Sequence, residues 1–509
     1  MNAEVQLAAP DKAATARASI RHPTAPALHW LAACVLLALG IWHLRPSVAG
    51  VDDVTWLITA AERLLDGHRL YIDIMELNPP ASVWLYTPAV WLARGLGVRP
   101  EVVVDVQTML VLAASPGFGA WILAGTSAFT KAKSIWLLAG SFAFLVFMPQ
   151  NIFGQREIFV LAAMLPMLAV LVQRAEGMPV PWQIATLAGF FGGLGLAIKP
   201  VYALCFGLAW LAGIGRCRSG AAILRAAVRP EGLVCAAAVL AYLALVAIFM
   251  PRFFSFMVPL LTLAYLPAHM TWSELAMQPL LWLWLATFAA AMVLALGRFH
   301  GVVAIALAAS LGAALAFAIQ RKGFQDHAFP MLALAVAALA AMAFSGWRSK
   351  LEQMLAVAFL LASCTALWPM MQVQWDLGEL RAALLRLPPH QRMLAVSQTL
   401  LLGHPLVRQV GGTWVGRWPA MMMHNLGLAR RLRDMPDAQA MANIEHYEKI
   451  ERDMLLEDIV DQRPDIVLVQ IEGHDWSKWA ANDPEIRAAL AEYQDRGTFQ
   501  GIRILRRGE

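Results

Sequence analysis

Two adjacent carboxylates, Asp52 and Asp53, open a stretch whose residue types suit proton-transfer chemistry. Behind them Val54, Leu57, Ile58, Ala61, Leu64 and Leu65 follow the i, i+3, i+4, i+7 spacing of an amphipathic helix, which Gly67 ends. Like charges side by side at a low-dielectric surface gain affinity for a proton or a cation, which is what a general base requires. Asp is also a good N-cap, but capping takes only one of the two.

A second set of residues is cationic. Arg156, Lys199, Arg321 and Lys322 each stand at an end of an apolar run, and Lys199 is wedged in Gly192-Gly-Leu-Gly-Leu-Ala-Ile-Lys-Pro200. An ionisable group there costs several kcal/mol unless it lines a cavity or has a partner. Long side chains can lift their charge to the interface. Convergence of all of them on one face, however, suits a phosphate-bearing lipid.

The elements that position these groups are membrane spans. Of the 509 residues 59% are hydrophobic and 15% charged, too apolar for a water-soluble chain, so lipid is the solvent for much of it. The net charge of +5 falls in short gaps between apolar runs and builds no basic face, which excludes a nucleic-acid binder. The five cysteines lie in or beside apolar runs without metal-ligand spacing and read as free thiols.

Residues 27–44 read as a retained signal anchor behind Lys12, Arg17 and Arg21. Further spans are expected at 102–124, 134–149, 158–172, 182–197, 201–214, 233–250, 279–296, 302–319, 329–344 and 351–371, about eleven in all. With 81–96 lying in the interface, Lys131, Lys133, Arg174, Arg216, Arg218, Arg225, Arg229, Arg298, Arg348 and Lys350 all fall on the cytoplasmic side. That topology gives a cytoplasmic tail (1–26), a membrane module (27–371) whose first outer loop is 45–100, and an external domain (372–509). In that domain 437–461 reads as an amphipathic helix, 464–470 as a strand, 483–495 as a helix and 499–505 as a strand. A small α/β domain that recognises or packs rather than catalyses is expected.

The acidic pair after the first span, the helix ending in Gly67, Tyr71-Ile-Asp-Ile-Met-Glu-Leu-Asn-Pro-Pro80 and Gln155-Arg156-Glu157 together resemble the GT-C glycosyltransferases. The Gly-rich run to Lys199-Pro200 and Arg321-Lys-Gly-Phe-Gln-Asp-His-Ala-Phe-Pro330 extend the resemblance, over 27–371. It is nearest to the family 39 branch of protein O-mannosyltransferases and aminoarabinose–lipid A transferases. There the pair is usually Asp-Glu; here it is Asp-Asp.

The resemblance implies an enzyme of the bacterial inner membrane, with its N-terminus in the cytoplasm and its last domain in the periplasm. It would move a sugar from a polyprenyl-phosphate donor to a lipid, glycan or protein acceptor. Asp52 would be the base and Asp53 its orienting partner, with Glu157 for acceptor or cation contact. Arg156, Lys199, Arg321, Lys322 and His327 would hold the donor phosphate. No metal site is assigned, though a divalent cation has room in such a mechanism. A flippase for a lipid-linked sugar would show matched broken-helix repeats, and a glycan polymerase would place its chemistry in a late outer loop; neither pattern is present.

Overall fold

The computed structural model describes residues 35, 48–124, 126, 131–214, 219–344, 348–372, 377–433 and 435–508. Apart from Val35, the expected anchor at 27–44 and its basic flank lie outside the described residues, as do Cys34, Cys217, Arg216 and Arg218.

The first element is the amphipathic helix α1, Asp52–Leu65, whose buried face includes Val54, Leu57, Ile58 and Ala61. Asp66 closes it, and Gly67 follows at φ +90°, a conformation that suits glycine. Residues 81–96 form two short pieces, Ala81–Trp84 and α2, Thr87–Leu96, with Ala89, Val90 and Ala93 buried and Trp91 and Leu96 exposed. A ten-residue helix rises about 15 Å, half a bilayer core.

Each further expected span is a helix: α3 Pro100–Leu123, α4 Lys131–Phe147, α5 Arg156–Ala175, α6 Trp182–Ile198, α7 Ala203–Ile214, α8 Pro230–Phe249, α9 Pro279–Ala295, α10 Gly301–Gln320, α11 Gln325–Ala343 and α12 Lys350–Met370. Among the described residues six (α3, α5, α8, α10, α11 and α12) are long and apolar enough to cross a membrane, and shorter apolar helices accompany them. Small residues set their packing. A Cβ on Gly189 of α6 would stand 2.3 Å from the Glu231 carbonyl oxygen of α8, so glycine lets the two backbones touch. At that crossing Arg174 pairs with the buried Glu231 at 3.2 Å. Cys205, Cys235 and Cys364 are free thiols, as expected.

A helix at Phe253–Tyr265 with π-type turns was not expected. It packs on the last domain, against α13, Met422–Arg433, and α14, Ala438–Gln462. Asp437 caps α14 by accepting from Ala440 N.

The last domain is built on a five-stranded sheet in the order β2-β1-β3-β5-β4. β1 (Arg392–Val396) pairs in parallel with β2 (Thr413–Trp414) and β3 (Ile466–Gln470). β5 (Ile502–Arg507) joins β3 and β4 (Tyr493–Phe499) antiparallel. Two boundaries are corrected here. The helix expected over 483–495 is only Pro484–Ala489, after which β4 begins, and the strand expected over 499–505 is interrupted by the turn at Gln500-Gly501, where both residues have positive φ. Apolar alternation located the strand; the glycine that reverses it decides where it starts.

Candidate active site

The candidate site gathers where uncapped helix ends meet. α1, α5 and α11 all begin here, after Val51, Gln155 and Phe324, and none of these residues caps its helix by a side chain. The free backbone N–H groups and positive dipole ends of these helices favour negative charge in front of them. The C-terminal end of α6 contributes Lys199.

Asp52 and Asp53 are therefore the first residues inside α1 and not its cap. One Asp52 carboxylate oxygen accepts from Asp53 N at 2.8 Å. Burial, and next the Asp53 charge, push the Asp52 carboxyl up to about 6. Asp53 accepts from Arg156 Nη2 at 2.7 Å. The Arg156 guanidinium is buried, and its Nε and Nη1 have no partner. Lys199 donates to Glu157, which is fully buried and keeps its second oxygen unpaired. His327 Nε2 stands 3.7 Å from Glu157 and 3.5 Å from Asp326.

Five of the residues singled out by chemistry and resemblance (Asp52, Asp53, Arg156, Glu157, Lys199), with His327, thus belong to one cluster, in which Arg156, Glu157 and His327 are buried and Asp52, Asp53 and Lys199 half-buried. Arg321 and Lys322 turn elsewhere. Arg321 bonds His269 and lies over the Trp272 ring at 4.8 Å. The Lys322 ammonium donates to the Tyr265 carbonyl at 2.7 Å and to that of Ala268, over the Tyr265 ring. Burial brings Lys322 down to about 8. Both side chains fasten the segment that follows the Phe253–Tyr265 helix.

Two acids were missed by sequence reasoning. Asp326 faces the Asp52 charge from the start of α11; its place beside His327 in the quoted motif was the available signal. Glu76 is buried behind the site, accepting from Trp56 Nε1 at 2.5 Å and Asn78 N at 2.8 Å, and burial raises its carboxyl.

Glu157, Asp326 and His327 can bring one ligand atom each within 4.8 Å of one another, enough to hold a cation. The donor set suits a divalent ion, but such an ion would contend with Lys199 for Glu157.

A cavity of about 750 Å³ opens in front of Asp52 and Asp53, with Asn151, Gln155 and Gln325 on the membrane-module side. Arg381, Leu401, Leu406 and Gln409 of the last domain form the opposite wall. That domain grips α1 directly. Arg408 donates to both oxygens of Glu62 (2.5 and 3.1 Å), to Thr59 and to Glu101. His404 sits between Trp56 and Trp414, each ring 5.0 Å away and inclined to it by 52° and 63°, and burial keeps it neutral by pushing its imidazole well below the usual range.

No protein-family model matches the sequence, and no curated protein matches it. Among solved structures it is similar to ArnT from Cupriavidus metallidurans in the apo state, with 14% identity, a TM-score of 0.52, and coverage of 94% of this chain and 98% of that one. The same protein bound to undecaprenyl phosphate aligns over the same shares at 14% identity with a TM-score of 0.51. Likeness over nearly the full length of both chains, last domain included, makes this a multi-pass membrane protein of the GT-C fold with a small C-terminal α/β domain.

Proposed function

We propose that the protein is a glycosyltransferase that moves a sugar from a polyprenyl-phosphate carrier to a hydroxyl acceptor by a single inverting displacement. The observation that carries this reading is Arg156, a buried guanidinium with two unpaired nitrogens beside an acidic pair. An anion in front of it would meet those nitrogens and the uncapped starts of α1, α5 and α11. Asp52, the other member of the acidic pair, with a pKa lifted to about 6, is suited to take a proton at neutral pH.

In the reaction Asp52 takes the acceptor's hydroxyl proton. The acceptor oxygen bonds to the anomeric carbon while the bond from that carbon to the phosphate oxygen breaks, and the electron pair leaves on the lipid phosphate. Arg156 and Lys199 stabilise that charge. Asp53, fixed by Arg156, orients Asp52, while Glu157 holds Lys199, and His327 stands beside Glu157 at the phosphate side. Arg321 and Lys322 support the neighbouring wall. The undecaprenyl phosphate bound by the similar ArnT structure agrees with a lipid-phosphate donor. A flippase would have no use for the base.

The site would face away from the cytoplasm, in the inner membrane of a bacterium, with the N-terminus inside and residues 372–509 outside. The test is transfer or hydrolysis of radiolabelled undecaprenyl-phosphate sugars by the purified protein in nanodiscs. Failure to bind undecaprenyl phosphate would end this reading.

A further inference from the structure

The turn between α13 and α14 carries two large apolar side chains on the surface of the last domain. Leu432 is 79% exposed and Met435 fully so, and no other large apolar side chain described in that domain is as exposed. With the half-buried Leu428 they follow the i, i+4, i+7 spacing of a single stripe that runs along α13 and off its end. A lone exposed Leu needs no explanation. A stripe that ends on a helical turn does, because turns facing only water are built from polar residues.

Contacts of the turn place it where apolar helices leave the membrane. Arg433, next to Leu432, stands 3.7 Å from Glu274. Glu274 belongs to the short helix Trp272–Ala276 that leads into α9, and Arg321, at the end of α10, lies over the Trp272 ring. On these segments Leu266, Trp272, Met277 and Trp282 are 59–70% exposed. Exposed tryptophans at the ends of apolar helices mark the depth of the membrane interface. The stripe on α13 continues that rim. Of its charged neighbours, Arg431 donates to both oxygens of Glu448 at 2.5 and 2.7 Å, and Arg433 faces Glu274. What the turn offers outward is hydrocarbon.

We infer that Leu432 and Met435 dip into the bilayer on the side that holds the candidate site, and so dock the last domain on the lipid surface. The hairpin is closely packed: a Cβ on Gly427 would stand 3.0 Å from Ile444 Cγ2 of α14, so glycine lets the two helices lie together. At its other end α13 begins with Met422, on the cavity wall. One helix thus runs from the cavity to the membrane, and the lipid contact helps to set where that wall stands. This goes beyond the transferase reading and does not depend on it.

The experiment uses the full chain in nanodiscs, one copy per disc, with bimane attached at Leu432→Cys, Met435→Cys or Lys478→Cys. Wild type labelled in the same way supplies the background. Lys478 is 82% exposed and adjoins Trp479, which packs 4.9 Å from His424 near the start of α13, away from the turn. Each variant is checked for native elution and Tm. Doxyl-labelled phosphatidylcholine should quench bimane at 432 and 435 several times more than at 478, and aqueous iodide should do the reverse. Iodide access at 432 and 435 equal to that at 478, without doxyl quenching, overturns the inference. So does protection from iodide without doxyl quenching, which would mean that protein covers the turn. Adding Leu432→Asp to the Met435→Cys protein should reduce doxyl quenching and restore iodide access, because a charge resists entry into lipid. Doxyl quenching that is unchanged by this aspartate also overturns the inference.

Discussion

The two ends of α1 carry similar residues and treat them differently. At its far end Glu62 has both oxygens on Arg408, and Arg63 donates to the carbonyls of Gly416 at 2.5 Å and Asp73 at 2.8 Å. At its start Asp53 holds one nitrogen of Arg156 while the other two go without partners, and Asp52 keeps a raised pKa. Polar groups that serve only the fold are normally satisfied. Charge left unmatched in a cleft is the commoner signature of chemistry. One helix thus holds the proposed base at one end and the domain contact that fixes its position at the other.

The largest effect is expected at the satisfied end. Arg408→Ala would leave Glu62 without its cation and the buried Glu101 with only the exposed Arg99 at 3.3 Å, and breaking such a pair costs about 3–5 kcal/mol. Thermal unfolding should shift sharply down, and limited proteolysis should release the last domain. An unchanged Tm would mean that the domain is held by its other contacts.

At the unmatched end the loss falls on rate. Asp52→Asn should lower transfer by roughly 10²-fold or more, the scale of a lost general base, with donor binding preserved. Because the folded-state pKa is about 6, transfer by wild type should rise with pH through about 6 and level off above 7. Stability runs the other way. The native state keeps its proton longer than the unfolded chain, whose Asp titrates near about 3.9, so the charged carboxylate destabilises the fold as pH rises from there to about 6. Asp52→Asn should therefore be no less stable than wild type at pH 7.5, and a variant that unfolds there would reassign Asp52 to structure.

Lys199→Ala sharpens the comparison further. It would free Glu157 and remove a cation from the proposed leaving group, raising KM for the donor by about tenfold or more, as for a charged hydrogen bond worth about 1.5–3 kcal/mol. Unchanged donor use at low concentration would make Lys199 a support for Glu157 alone.

The start of α1 was legible in the sequence and its far end was not. Adjacent acids at the head of an amphipathic stretch, and cations at span ends, break local rules that composition makes visible. Apolar runs located the helices α3 to α12 because lipid forces backbone groups to pair within each segment. Glu62 and Arg408, by contrast, are separated by 346 residues, and each alone looks like an ordinary surface charge. In the last domain 483–495 carries helix-like spacing, yet its last three residues, Tyr493 to Asp495, pair with β5, and that pairing prevails over local preference.

The smallest expected effect tests whether burial, and not ion pairing itself, separates the two ends. Arg94 of α2 donates to Asp66 at 2.8 Å, just past the end of α1, with side chains 40% and 52% exposed. It lies one helical turn beyond Glu62 and uses the same kind of chemistry, including a bond from Nη2 to the Glu62 carbonyl at 2.9 Å. Water solvates both charges when the pair is broken, so Arg94→Ala should cost only about 0–1 kcal/mol. Its contribution should fade further in high salt, where exposed pairs are screened, while that of Arg408 should persist. Comparing the two variants by chemical denaturation at low and high salt separates the cases. A loss at Arg94 as large as at Arg408 would mean that α2, more than the last domain, holds the acid-bearing helix in place.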